Sequence, residues 1–168
     1  QGIVGALVGE EFDGSRASNP SANFRELVEA AKGSEYRVPA ALYSSLDSDL
    51  LNEATIETIR ASACNYWAQC IDGLYLAQWF SQLPYKAPFY EKLRELPHAD
   101  VMAPKDKHYH ISTESSRSRE PANGPGITKQ LPADLEVNRP VQLSLTISDD
   151  LPRWDLVGRV HEVLLRFR

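Results

Sequence analysis

Residues 65–80 read NYWAQCIDGLYLAQWF, from Asn65 to Phe80, and the stretch changes character halfway. Its first half carries aromatic residues at helical spacing. After Asp72-Gly73 it becomes a near-continuous apolar run that ends on Gln78, Trp79 and Phe80. A short apolar run bounded by turn signals reads as a buried strand. The stretch is therefore the end of a helix, a tight turn and a strand whose last residues leave the core.

The same alternation extends to both sides. Upstream, GIVGALVG (Gly2 to Gly9) reads as a fully buried strand, because apolar and small residues run without polar alternation. Phe24, Leu27, Val28 and Ala31 then follow helical spacing, with Asn23 and Glu26 as a capping arrangement and Gly33 as the stop. RVPAALYSS (Arg37 to Ser45) is a second apolar strand, with Pro39 near its start. From Ala54 to Gln69, Ile56, Ile59, Ala63 and either Tyr66 or Trp67 share one helical stripe. Residues 71–80 form the third strand, and Pro88 to Leu96 a short helix facing inward through Phe89, Leu93 and Leu96. Strands alternating with helices at this spacing predict βαβ units and a parallel sheet covered by helices over residues 1–105.

Beyond that point the period becomes two. HYHIST, VQLSLTIS and VHEVLLRFR read as antiparallel strands separated by Gly, Pro, Asn and Asp clusters, which predicts a β-rich domain over residues 106–168.

With 168 residues, 42% of them hydrophobic, the chain can build a real core. No apolar run reaches the roughly 18–20 residues of a membrane span, so no membrane partner is expected. The net charge of -5 is uneven: residues 1–53 hold nine acidic and four basic side chains, and the other 115 residues hold fourteen of each. There is no basic stripe, which argues against nucleic acid. Cys64 and Cys70 are six positions apart, roughly 120° around a helix, so they are expected as free buried thiols. His108 and His110 share one face of the expected strand, but no third ligand is near in sequence, and a surface pair at the domain junction is the simpler reading. No metal or cofactor is expected. Neither common phosphate loop nor a G-x-S-x-G nucleophile elbow occurs.

In parallel α/β architectures, ligands meet the C-terminal edge of the strands. That edge collects Glu10, Glu11 and Asp13 from the first strand; Tyr43, Ser44, Ser45, Asp47 and Asp49 from the second; and Gln78, Trp79, Ser81 and Gln82 from the third. Carboxylates serve as acid, base or nucleophile, an indole stacks on a sugar ring, and amides fork onto hydroxyls. Carbohydrate is the ligand class that uses all three.

The string NYWAQCIDGLYLAQWF, followed by PFYEKLREL and KDKHYHIST, resembles the C-terminal part of bacterial glycoside-hydrolase-like TIM barrels that lead into a small β-rich domain. GIVGALVG and FRELVEAAKGSEYRVPAAL look like the two preceding βα units of those barrels. Cys70 stands where that pattern has Gly, and Gln78-Trp79 replace a Phe-Asn pair. The resemblance implies late βα units of an incomplete (β/α)8 barrel, followed by an incomplete antiparallel β-sandwich-like domain. The missing barrel strands would come from the rest of a longer chain or from a partner chain, since both ends look cut. It implies hydrolysis of glycosidic bonds in an oligo- or polysaccharide. Glu10 or Glu11 would be the first catalytic carboxylate, its partner being either Asp47 or a residue on a missing strand, with Tyr43, Asp13, Gln78 and Trp79 on the substrate. The alternative is a non-catalytic glycan-binding or assembly module. The compartment is open, an extracytoplasmic one being slightly favoured.

Overall fold

A computed structural model describes residues 22–43, 55–77, 87–111, 130–131, 133–160 and 162–165. In chain order the elements are α1 (Arg25–Ala31), β1 (Pro39–Tyr43), α2 (Ile56–Trp67), β2 (Gly73–Ala77), α3 (Ala87–Glu95), α4 (Ala99–Met102) and α5 (Leu151–Leu156). β1 and β2 pair in parallel, Pro39 against Gly73 through Tyr43 against Ala77, with α2 as the crossover between them.

The organising element is α2. Thr55 caps its N-terminus by accepting the Thr58 N–H at 3.4 Å, and Glu57 in the first turn complements the helix dipole. One buried stripe is expected from the spacing, yet every residue from Thr58 to Tyr66 is buried. The reason is that packing surrounds the helix. The sheet meets it through Ala40 and Leu42, Leu96 and Met102 close another side, and Phe24 sets its ring edge-on to Tyr66 at 4.9 Å between centroids. Burying side chains of the size of Ile59 or Leu42 contributes about 1.5–3 kcal/mol each.

Local chemistry fixes the ends. Asp72 accepts the Val38 N–H through Oδ2 at 2.8 Å, and its own N–H donates to the Val38 carbonyl at 3.1 Å, which locks the start of β1 against the start of β2. Pro39, as the first residue of β1, has no N–H to lose from the ladder. Gln69 reaches back from the end of α2, accepting the Phe24 N–H at 2.7 Å and donating to the Ala22 carbonyl at 2.8 Å. Trp67 Nε1 donates to the Leu96 carbonyl at 2.9 Å, tying α3 to the same helix.

The expected architecture is corrected here. Among the described residues the sheet has two strands, not successive units of a TIM barrel, and there is no antiparallel β-sandwich. Residues 108–111, 141–148 and 162–165 form no ladder, and Glu136 and Arg139 form an isolated bridge. For VQLSLTIS the physical reason is visible. The carboxamide of Gln130 takes both the N–H and the carbonyl of Ser144, and that of Asn65 takes the Thr146 carbonyl and the Ser148 N–H, each at 2.9 Å. Side-chain amides occupy the positions a neighbouring strand would fill. The first expected strand, Gly2 to Gly9, lies outside the described residues.

Candidate functional site

The in-register parallel pair ends with Tyr43 beside Ala77, so the chain leaves both strands at one edge. Of the residues expected to act there, Tyr43 closes β1. Glu10, Glu11, Asp13, Asp47, Gln78 and Trp79 lie outside the described residues, although Gln78 directly follows Ala77 in the chain.

The described polar groups gather instead on α2. Arg60 Nε donates to Glu95 Oε2 at 2.7 Å, with both side chains buried, and Lys105 donates to the other oxygen, Oε1. Glu91 adds a longer contact to Arg60 at 3.9 Å. Burial pushes the Glu95 carboxyl up, but the two cations more than offset it and hold it below the usual carboxylate range. Glu95 is therefore an ionised strut, unsuited to act as a proton donor near neutral pH.

A second cluster joins the segment after α4 to the segment before α5. Lys107 Nζ lies 2.9 Å from Asp149 Oδ1 and donates to the carbonyls of Ala103 at 2.8 Å and Lys105 at 3.1 Å. All three ammonium donors are thus used. Tyr109 donates to Asp149 Oδ2 at 3.0 Å and lies 3.2 Å from Ser148 Oγ. Burial, despite Ser148, raises the phenol above its ordinary value, so it stays protonated. These contacts fasten 105–111 and 144–149 to each other and to α2, where the His108 N–H donates to the Glu57 carbonyl at 3.1 Å.

Two expectations are corrected in this region. His108 and His110 are not a surface pair: His108 is exposed, whereas both ring nitrogens of His110 are inaccessible and, among the described residues, without a hydrogen-bond partner. The cysteines are not both buried, since Cys64 is buried and Cys70 is exposed. Burial pushes the Cys64 thiol up to about 11. Among the described residues, no group of three or more His, Cys, Asp or Glu is arranged to hold a metal ion.

Sequence reasoning passed over Arg60, Asn65, Gln69, Glu95 and Lys107 as ordinary helix or surface residues. The signal available was polarity inside an otherwise apolar stretch. Arg60 and Asn65 interrupt IETIRASACNYW, where a polar side chain must find partners once the helix is enclosed. The helix α5 was also passed over, though Asp150 before Pro152 is a helix-start signal, and Asp150 Oδ1 accepts the Arg153 N–H at 3.2 Å.

No protein-family model matches this sequence, and no curated protein matches it. Among the described residues, no helix is long and apolar enough to cross a membrane.

Proposed function

We propose that this chain is part of a carbohydrate-directed protein that hydrolyses glycosidic bonds with acidic residues following its strand ends. The observation that supports this reading is the parallel register that brings Tyr43 alongside Ala77. With that register, β1 and β2 end at the same edge, the edge where α/β proteins gather ligand contacts, and in sequence Asp47 follows the one and Gln78 and Trp79 the other. Acid, amide and indole in one such group match the needs of a sugar: proton transfer, hydroxyl recognition and ring stacking. Glu10 and Glu11 are the first catalytic candidates and Asp47 the second, with Tyr43, Asp13, Gln78 and Trp79 on the saccharide.

The test uses the intact polypeptide, a panel of chromogenic glycosides and polysaccharides, and calorimetry for binding. Glu10→Gln, Glu11→Gln and Asp47→Asn are expected to remove turnover while leaving saccharide binding in place, and Trp79→Ala is expected to weaken binding. Unchanged turnover in all three acid variants would remove those residues from the mechanism. Binding without turnover in the unaltered protein would favour a glycan-binding module. No binding to any glycan would sink the carbohydrate reading as a whole.

A further inference from the structure

The turn between α3 and α4 is held at His98, whose N–H donates to the Glu95 carbonyl at 2.9 Å and whose carbonyl accepts the Met102 N–H at 3.1 Å. Beside it lies a cleft of about 430 Å³ lined by Glu91, Arg94, Glu95, His98, Val101 and Lys105. Its charge is not balanced. Glu95 is already taken by Arg60 on one oxygen and by Lys105 on the other, and Glu91 leans on Arg60. Counting the cleft with Arg60 behind it, Arg60, Arg94 and Lys105 oppose Glu91 and Glu95, a surplus of one positive charge before His98 contributes. Among the described residues, the side chains of Arg94 and His98 have no hydrogen-bond or ion-pair partner. Lys105 gives a single side-chain donor to Glu95, which leaves two of its three N–H groups for something else.

We propose that this cleft binds a small oxyanion, a carboxylate, phosphate or sulfate group. Arg94 supplies the planar fork that matches such a group, His98 a ring N–H, and Lys105 the second fixed charge. Val101, 40% exposed, gives the cleft an apolar wall for the carbon frame of an organic anion. The volume exceeds what a bare ion needs and falls in the range of small-molecule sites. Glu91 works against the ion, since its carboxylate faces the same space and is half-exposed. That opposition sets the direction of one variant in advance.

The experiment titrates the full chain at low salt with inorganic phosphate, with glucuronate and with glucose. Calorimetry gives the affinity, and the His98 ring resonances report the place of binding. At least one anion is expected to bind saturably and to weaken as salt is added. Loss of a charge-assisted pair in Arg94→Ala is expected to weaken binding roughly tenfold or more. Glu91→Gln is expected to tighten it severalfold, a gain that a misfolded protein would not give. Phosphate binding as well as glucuronate assigns the cleft to the bare oxyanion, and glucuronate binding alone assigns it to acidic sugars. The proposal is overturned if neither anion saturates, if glucose binds as well as glucuronate, or if Arg94→Ala binds undiminished. None of these outcomes depends on glycosidic cleavage, because no proposed catalytic residue lines the cleft.

Discussion

Asn65 Oδ1 accepts the backbone N–H of Ser148 at 2.9 Å, a hydrogen bond across 83 positions of sequence. Its Nδ2 donates at 2.9 Å to the Thr146 carbonyl, so one buried carboxamide on α2 holds a segment that would otherwise have to pair with a strand. Asn65→Ala removes both bonds and leaves two backbone groups without this partner. The expected cost is about 1–3 kcal/mol, read as a lower urea midpoint. Faster hydrogen exchange at the Ser148 amide should accompany it, and an unchanged exchange rate there would show that the clamp does not hold the segment. Asn65→Asp keeps the acceptor for Ser148 but buries a carboxylate against the Thr146 carbonyl, and should cost at least as much as Asn65→Ala.

The pair Arg60–Glu95 sits behind a different outcome. Breaking a buried ion pair from one side costs about 3–5 kcal/mol because the remaining charge is left uncompensated. Glu95→Gln is therefore expected to destabilise strongly, while the double change Arg60→Met, Glu95→Leu should recover much of the loss, and chemical denaturation of the parent and the two variants checks it. The pH dependence has a defined sign. Glu95 titrates lower in the folded chain than its ordinary 4.5, so its contribution is complete above that value and is lost as the pH falls through the folded value.

Cys64 and Cys70 should separate cleanly in a thiol assay. With its thiol at about 11, buried Cys64 has almost no thiolate near neutral pH, whereas exposed Cys70 is free to react. Titration with an aromatic disulfide is expected to give one fast thiol, and the second only on denaturation. Cys70 also sits at φ 63°, the left-handed region that glycine enters freely. Cys70→Gly is expected to remove the fast thiol and to raise stability by about 0–1 kcal/mol, relief of strain being partly offset by greater freedom of the unfolded chain. A clear loss of stability would show that the side chain itself contributes.

Periodicity carried α1, α2, α3 and the two paired strands, but not α4 or α5. Ile59, Ala63 and Tyr66 recur at helical spacing, and PAALY and GLYLA are short apolar runs between turn signals, so α2, β1 and β2 follow from local pattern. What pattern does not carry is pairing. VQLSLTIS alternates as a strand should, but a strand exists only through a partner, and Asn65 and Gln130 supply side-chain amides in its place. The cleft beside α3 escaped for a related reason. Glu91, Arg94, Glu95 and Lys105 read as solvated charge until Arg60, far away in sequence, is seen to neutralise Glu95 and leave Arg94 without a counterion among the described residues. The strand-end residues other than Tyr43 lie outside the described residues.

His110 gives the remaining prediction. Both of its ring nitrogens are inaccessible and, among the described residues, without a partner, and burial, helped by nearby His108, lowers its pKa from 6.5 to about 4. The folded chain therefore keeps the ring neutral at pH values where the unfolded chain protonates it. Between about 6.5 and about 4 the unfolded state binds more protons, so stability falls as the pH drops through that window and is level above it. The full loss is on the order of 3 kcal/mol. This window lies largely above the Glu95 transition, so the two can be told apart in one series of urea midpoints from pH 8 down to about 4. His110→Leu is expected to flatten the profile between 6.5 and 4 and to match or exceed the parent at neutral pH, because an apolar ring site no longer holds a donor without an acceptor. Parallel profiles for parent and variant would show that the ring finds a partner when protonated, and would remove it as the acid-sensitive group.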